Sequence, residues 1–280
     1  MTEPFPFARR TDWPATPNAL TGALQKIRGE NAAILDLTES NPTRCGFSYA
    51  DDKSLMESLA VQENKAYRPE PHGHLKAREA ISDDYKSKGI DVPPEKILLT
   101  ASTSEAYSYL FRLLANPSDQ ILFPHPSYPL FSFLGDLNDC LMDTYPLRYD
   151  GSWRMDLKRI GDLMRDDTKA VVLVSPNNPT GSYVRAEELE ELNFLCRQNN
   201  AALICDEVFA DFTLEAKRYY PSLAGNKEVL TFVLGGISKT LGLPQMKLSW
   251  IVMNGPEELV RRANARLEII ADTYLSVNTP

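Results

Sequence analysis

Short apolar runs alternate with amphipathic segments over most of the chain. Seven of these runs are rich in β-branched and apolar residues, and they predict strands at Ile97–Ala101, Ile121–Pro124, Met142–Pro146, Ala170–Val174, Ala202–Cys205, Leu230–Leu234 and Ser249–Met253. Ala170–Val174 is apolar at every position, which is typical of a strand that is covered on both faces. The pattern therefore favours a mostly parallel sheet over an antiparallel sheet with one face in water.

Helix-like segments lie between most of these strands. The spacing of their apolar residues predicts helices at Leu75–Lys88, Glu105–Ala115, Asp156–Arg165, Ala186–Asn199 and Pro256–Ala271. Strands that alternate with helices indicate the α/β class, because each crossover helix packs back onto the sheet. We expect a three-layer αβα arrangement around a mostly parallel, seven-stranded sheet.

The start of the chain has a different pattern, because prolines interrupt any long element there. We expect residues 1–50 to form an N-terminal arm and part of a small domain, with a short helix at Leu20–Arg28 and an extended segment at Ala33–Thr38. Residues 51–280 are expected to form the large domain around the main sheet. The sequence stops just after the last predicted helix, so we expect a C-terminal small domain to be absent.

Composition and charge narrow the classes of function. Of the 280 residues, 43% are hydrophobic and 24% are charged, the balance of a soluble globular protein. The formal charge of −8 argues against nucleic acid or an anionic membrane as a bulk partner. No apolar run approaches the roughly 18 residues that span a bilayer, and no signal peptide is evident. The four cysteines are widely spaced, as in a protein with reduced thiols, and we predict a cytoplasmic location.

Polar residues follow four of the predicted strands. Where these strands end, the sequence continues with Ser102–Ser104, Ser175–Gly181, Asp206–Phe209 and Gly235–Thr240. Ligands in parallel α/β sheets bind at the carboxyl ends of the strands. We therefore expect the four segments to contribute to one site.

The chemical groups at these strand ends are those that a pyridoxal phosphate site requires. Lys239 can form a Schiff base with the cofactor and later move a proton. Asp206 can keep the ring nitrogen protonated, and the amide of Asn178 can reach the ring oxygen. Backbone N–H groups at the helix start near Ser102–Ser104 can bind the phosphate. The sequence thus predicts a pyridoxal phosphate site.

The order of the motifs is more specific than any one of them. In chain order the motifs are YRPEPHG from Tyr67, the Ser/Thr-rich turn STSEA, PSY ending at Tyr128, NNPTG, DEVF and SKTLGLP. With this combination, the chain resembles the class I/II aminotransferase family of fold type I pyridoxal-phosphate-dependent enzymes, from about Tyr67 to its end.

The resemblance implies a role for each matching residue. Lys239 would be the Schiff-base lysine, Asp206 would pair with the ring nitrogen, and Asn178 would contact the ring oxygen. Tyr128 would stack on the cofactor ring. The phosphate would be surrounded by Ser102, Thr103, Ser104, Ser238 and Lys247. Tyr67 would reach the phosphate of the neighbouring subunit, which implies a homodimer.

The chain departs from the family pattern at several points. Phe209, which we place among the cofactor-binding residues, stands where the family usually has a tyrosine that donates to the ring oxygen. Without that donor we expect a raised pKa of the Schiff base. Lys247 replaces the usual arginine and keeps its charge but loses its planar, two-pronged geometry. The family's arginine for the substrate carboxylate belongs to the small domain, which this sequence does not reach.

The resemblance implies an aminotransferase that moves an amino group between an amino acid and a 2-oxo acid. One alternative is a pyridoxal-phosphate-dependent lyase, which would catalyse β-elimination or decarboxylation on the same scaffold. Another is a truncated domain that binds the cofactor without catalysis. A P-loop is excluded because Ser238 stands where glycine should precede the lysine. We expect no metal site, since the pair His72 and His74 would need a third ligand.

Overall fold

The computed structural model describes residues 5–14, 16–30, 32–35, 41–47, 52–212, 222–275 and 277. The chain divides into two compact units, Met1–Phe47 and Ser48–Pro280. In the first unit, helix α1 spans Ala19–Gly29 and confirms the short helix predicted there. The side chain of Asn18 caps it by accepting a hydrogen bond from the backbone N–H of Thr21 at 2.8 Å. Residues 33–35 belong to no strand, and the rest of that predicted extended segment lies outside the described residues.

The second unit is built around one sheet, which has eight strands within the described ranges. These strands are β1 Ile97–Thr100, β2 Gln120–His125, β3 Leu141–Tyr149, β4 Trp153–Met155, β5 Thr168–Val174, β6 Ala202–Asp206, β7 Thr231–Gly236 and β8 Ser249–Asn254. Their order across the sheet is β1-β8-β7-β6-β5-β2-β3-β4. Strands β3, β2, β5, β6 and β7 are parallel, whereas β8 is antiparallel to both neighbours and β4 is antiparallel to β3.

The prediction of seven strands was therefore wrong by one, although each predicted run does form a strand. The additional strand is β4, which pairs with the end of β3 through Leu147, Arg148 and Tyr149. It is only 3 residues long and follows a turn at Gly151, where φ is +99°. Three residues are too few to establish an alternating pattern, so the sequence carried no periodic signal for this strand.

The helices of the second unit lie between the strands, as expected for an α/β fold. They are α2 Asp52–Leu59, α3 Leu75–Ser87, α4 Thr103–Leu114, α5 Phe131–Leu137, α6 Leu157–Leu163, α7 Ala186–Asn199, α8 Ile237–Thr240 and α9 Glu257–Thr273. The five helices predicted here are all confirmed, with small shifts at their ends. The sequence did not predict α2, α5 or the single turn α8.

Apolar side chains on the two faces of the sheet form two separate cores. Leu203 and Val233 point to one face, where α3, α6 and α7 contribute their buried side chains. Ile204 and Phe232 point to the other face, which α4, α5 and α9 cover. Because the central strands are buried on both faces, their sequences are apolar at nearly every position. The three-layer αβα class is confirmed.

Candidate active site

Three adjacent parallel strands end side by side. Val174 of β5 pairs with Asp206 of β6, and Asp206 pairs with Leu234 of β7. The turn Ser175–Gly181 follows β5, and Asp206 is the last residue of β6. The segment Gly235–Thr240 begins with the last two residues of β7 and continues as α8. Because the carboxyl ends of parallel strands lie at one edge of the sheet, these three segments share that edge.

The Ser102–Ser104 turn reaches the same edge through β8. Thr100, the last residue of β1, pairs with Ser249, the first residue of β8. Ser249 also pairs with Gly236 at the end of β7. Lys247 lies just before β8, so the strand register also brings it to this edge. The four polar segments predicted to form one site are thus adjacent in the fold.

Asp206 is the buried carboxylate of this edge. The residue is 8% exposed, and each of its oxygens has a donor. The backbone N–H of Val208 donates to Oδ1 at 3.1 Å, and the hydroxyl of Tyr107 donates to Oδ2 at 3.2 Å. Burial raises the pKa of Asp206 to about 6, although both donors act to lower it.

Lys239 lies on the turn that follows β7. It is half-buried on α8, and its Nζ atom is 5.8 Å from the centre of the Phe209 ring. Phe209 belongs to the turn directly after β6. The lysine therefore faces the segment that carries Asp206. A side chain on Gly236 would place Cβ at 2.5 Å from Oγ of Ser249, so glycine permits the close approach of β8 just ahead of the lysine.

The Ser102 turn is a well-formed helix N-terminus. The hydroxyl oxygen of Ser102 accepts from the N–H of Glu105 at 3.1 Å, and Oε2 of Glu105 accepts from the N–H of Ala101 at 2.7 Å. These two hydrogen bonds fix the start of α4, where Ser102 is the N-cap. The first N–H groups of the helix, those of Thr103 and Ser104, point out of its end. Such groups bind anions, and phosphate in particular.

The NNPTG turn is held by its first asparagine. Asn177 is 4% exposed, and its Nδ2 donates to the carbonyl of Pro126 at 3.1 Å and to Oγ1 of Thr180 at 2.9 Å. Its Oδ1 accepts from Ser127 at 3.2 Å. The predicted cofactor ligand Asn178 is exposed. The sequence did not predict the structural role of Asn177. The pair Asn177 and Asn178 was the available signal, because one asparagine can hold the turn while the other binds a ligand.

Tyr128 lies close to the buried carboxylate. Its ring is 40% exposed and packs edge-on against Phe131, with the ring centres 6.0 Å apart. Burial raises the pKa of Tyr128, and the negative charge of Asp206 raises it further. The stacking of Tyr128 on a cofactor ring stays a prediction. Ser238 is half-buried beside Lys239 on α8.

Two of the predicted cofactor ligands are more peripheral. Tyr67 is 77% exposed in the segment ahead of α3. Its predicted contact is with the phosphate of a neighbouring subunit. Lys247 is exposed and has a left-handed backbone with φ of 53°. The strand register brings its backbone to the edge of the sheet, while its contact with a phosphate remains a prediction.

Within the described ranges, no cluster of three or more His, Cys, Asp or Glu side chains suited to a metal ion occurs. Nε2 of His72 lies 2.8 Å from Oδ1 of Asn264, and His74 is the residue before α3.

Among the helices that the structure describes, none is both long and apolar enough to cross a membrane.

The fold and the strand-end residues agree with a family match. The family model described as "Aminotransferase class I and II" matches residues 47–280, and the chain belongs to this family. The resemblance inferred from the motifs is thereby confirmed.

Several curated and solved relatives carry aminotransferase names. The chain is 28% identical over 256 residues to glutamate-pyruvate aminotransferase AlaA of Haemophilus influenzae, a match that covers 91% of this chain and 63% of that protein. It is 29% identical over 203 residues to tyrosine aminotransferase of Caenorhabditis elegans, covering 72% of this chain and 44% of that protein. The solved alanine aminotransferase from Pyrococcus furiosus superposes with a TM-score of 0.81 at 26% identity, covering 91% of this chain and 65% of that one. The chain thus spans less than two thirds of the length of these relatives.

Proposed function

We propose that the protein is a pyridoxal-phosphate-dependent aminotransferase that moves an amino group between an amino acid and a 2-oxo acid. The observation that carries this proposal is the position of Asp206. Its buried carboxylate ends β6, in register with the strand that leads to Lys239. Membership of the class I and II family supports the same reaction. The relatives named for glutamate, pyruvate, alanine and tyrosine support amino acids and 2-oxo acids as substrates.

The residues at this edge of the sheet fit pyridoxal phosphate. When bound, this cofactor supplies an aldehyde and an electron-withdrawing ring. Asp206 would hold the ring nitrogen, because a carboxylate in a buried setting favours a proton on a nearby base. The N–H groups of Thr103 and Ser104 would hold the phosphate at the start of α4. The remaining ligands of the phosphate would be Ser102, Ser238 and Lys247.

The other site residues would bind, orient and move protons. Nζ of Lys239 would hold the cofactor covalently until the amino group of the substrate displaces it. The freed amine would then take the proton from Cα of the substrate and return it to the cofactor carbon. Phe209 would cover Lys239 and exclude water from it. Asn178 would bind the ring oxygen, and Tyr128 would stack on the ring.

The proposal extends to the assembly and location of the protein. Two copies would form a homodimer in which Tyr67 of each reaches the phosphate of the other. The 77% exposure of Tyr67 in one chain supports this, because its hydroxyl is accessible to a second copy. A sedimentation experiment that finds only monomers at micromolar concentration would contradict it. We also propose a cytoplasmic location and a cofactor-binding domain at residues 51–280.

Covalent attachment to Lys239 is the direct test of the site. The purified protein is saturated with pyridoxal phosphate, reduced with borohydride and digested, and the labelled peptide is identified by mass. We expect the label on Lys239 in the wild type and in Lys227→Ala, whose lysine is exposed on the surface. We expect no label in Lys239→Ala. A full label in that variant would overturn the proposal.

Product analysis tests the reaction itself. A panel of amino acids, including glutamate, alanine and tyrosine, is incubated with and without a 2-oxo acid acceptor. An aminotransferase produces a new amino acid only when the acceptor is present. Release of ammonia or carbon dioxide without an acceptor would instead support a lyase. Cofactor attachment with no product from any donor would support a non-catalytic binding domain.

A further inference from the structure

Tyr107 is a buried residue that contacts the carboxylate of the site. It lies on α4 and is 1% exposed. Its ring is fixed by Phe131, whose ring centre is 5.2 Å away in an edge-on contact, and by Phe111 at 5.9 Å. Because this packing fixes the ring, its hydroxyl has a fixed position too. The hydroxyl donates to Oδ2 of Asp206 at 3.2 Å.

This hydrogen bond helps to fix the orientation of the Asp206 carboxylate. The two oxygens of Asp206 are held by donors from different elements, Val208 in the turn after β6 and Tyr107 on α4. Two donors fix both the position and the rotation of a carboxylate. Both also favour its ionised form, since each hydrogen bond is stronger to a charged acceptor than to a neutral one.

We propose that Tyr107 is a positioning residue for Asp206, whose hydroxyl keeps that carboxylate ionised and oriented toward the cofactor's ring nitrogen. This inference rests on the proposed function, because it gives Asp206 the ring-nitrogen role. Removal of the hydroxyl leaves a buried carboxylate with only the Val208 donor. Burial then dominates, and the carboxylate holds a proton that the ring nitrogen should carry.

Helix α4 connects this contact to the phosphate end of the site. Thr103, whose N–H lies at the start of α4, precedes Tyr107 by about one helical turn. The same rigid element therefore carries a phosphate donor at its end and the Asp206 donor within its first turns. Because the hydrogen bonds of Ser102 and Glu105 fix the start of α4, the two ends of the cofactor would be held at a constant separation.

Several titratable groups near Asp206 interact electrostatically with its carboxylate. Burial raises the pKa of Tyr107, of Tyr128 and of Cys205, and the charge of Asp206 raises each of them further. This charge also contributes to the raised pKa of Glu207, which burial dominates. The turn after β7 brings Lys239 to the same edge. Of the two tyrosines, Tyr107 is the one that hydrogen-bonds the carboxylate.

Tyr107→Phe removes the hydroxyl and retains the ring, so it tests the hydrogen bond alone. In the full chain without added cofactor, the side-chain carboxyl of Asp206 is followed by carbon-13 NMR and assigned with Asp206→Asn. We expect its pKa to rise by about one unit, a tenfold change in proton affinity, because a hydrogen bond to a charged group is lost. Tyr145→Phe is the matched control. Tyr145 is also 1% exposed, but its hydroxyl donates to the carbonyl of Val172 at 2.8 Å.

The same variants are then compared with the cofactor bound. The pH dependence of the dissociation constant for pyridoxal phosphate should follow the ionisation of Asp206. We expect Tyr107→Phe to move its inflection upward by about one unit, and therefore to weaken binding about twofold at pH 7 and about tenfold at pH 5. Tyr145→Phe should keep the wild-type profile. An unchanged Asp206 pKa in Tyr107→Phe, or an equal change in both variants, would overturn the inference.

Two further measurements keep the result interpretable. Phe111→Leu loosens the packing of the Tyr107 ring and retains its hydroxyl, so it should raise the pKa of Asp206 by less than Tyr107→Phe does. If Tyr107→Phe does not fold, incorporation of fluorinated tyrosine gives the reverse test, because a more acidic phenol is a stronger donor and should lower that pKa. The NMR result does not depend on Lys239 attachment. A failed borohydride label with a shifted Asp206 pKa would therefore contradict the proposed function alone.

Discussion

Nζ of Lys239 lies 5.8 Å from the centre of the Phe209 ring. The face of an aromatic ring attracts a cation at such a distance. Phe209 thus packs against the lysine and covers it with an apolar surface. A phenylalanine has no hydroxyl with which to donate to a cofactor oxygen, so the residue provides shape without a hydrogen bond.

Phe209→Tyr should lower the pKa of the Schiff base between Lys239 and the cofactor. The added phenol would donate to the negatively charged ring oxygen, which would then hold the Schiff-base proton less strongly. The pKa is measured by a pH titration of the absorbance of the bound cofactor. Phe212→Tyr is the control, since its ring centre is 6.1 Å from that of Phe209 and it is 57% exposed. Identical titrations for Phe209→Tyr and the wild type would contradict this prediction.

Asp206→Asn should stabilise the protein without cofactor at pH 8. Burial raises the pKa of Asp206 from 3.8 to about 6. Between these values the folded chain binds more protons than the unfolded chain, so the free energy of unfolding falls as pH rises. Above pH 6 the buried anion costs about 2–3 kcal/mol. An amide in its place avoids that cost.

Urea unfolding at pH 4 and pH 8 measures this difference. The variant should exceed the wild type by about 2 kcal/mol at pH 8 and by little at pH 4. Asp166→Asn, which changes an exposed aspartate, should have no comparable effect at either pH. Equal stability of Asp206→Asn and the wild type at pH 8 would mean that burial does not raise the pKa of this carboxyl.

The sequence predicted those parts of the site that local motifs encode. Lys239, Asp206 and Asn178 each lie beside a strand whose apolar run is evident, so their common edge followed from the α/β pattern. The contact of Tyr107 with Asp206 was missed, because it joins residues 99 positions apart and depends on how α4 packs.

Helix α5 was missed because Gly135 interrupts its pattern. A side chain there would collide with Met142, so the glycine reflects packing against β3.

Asn177→Ala should lower stability, whereas Asn178→Ala should weaken cofactor binding. Asn177 is buried and makes three hydrogen bonds to the loop around Pro126 and to Thr180. Its loss should lower the free energy of unfolding by about 1–3 kcal/mol, because buried partners are left unsatisfied. Asn178 is exposed, so its loss should leave stability within about 0.5 kcal/mol and weaken pyridoxal phosphate binding. Thermal unfolding and cofactor titration of both variants separate the two roles, and an equal loss of stability would refute the assignment.

Gly235→Ala should destabilise the end of β7 that leads to Lys239. Gly235 pairs with Trp250 of β8, and a Cβ atom at this position would lie 2.5 Å from the indole. Trp250 is itself confined, since it is 8% exposed and its Nε1 donates to the hydroxyl of Tyr85 at 3.4 Å. The indole can therefore not move aside freely, and we expect a loss of about 1–3 kcal/mol together with weaker cofactor attachment.

Gly161→Ala is the matched control for this change. Gly161 lies inside α6, and the nearest atom to an added Cβ there is Cδ2 of Leu195 at 3.4 Å. Because alanine is the better helix former, this variant should be as stable as the wild type or more stable by up to about 1 kcal/mol. Urea unfolding of both variants decides the matter. A Gly235→Ala protein with wild-type stability would show that Trp250 can shift, and that the glycine is not required for the approach of β8 to β7.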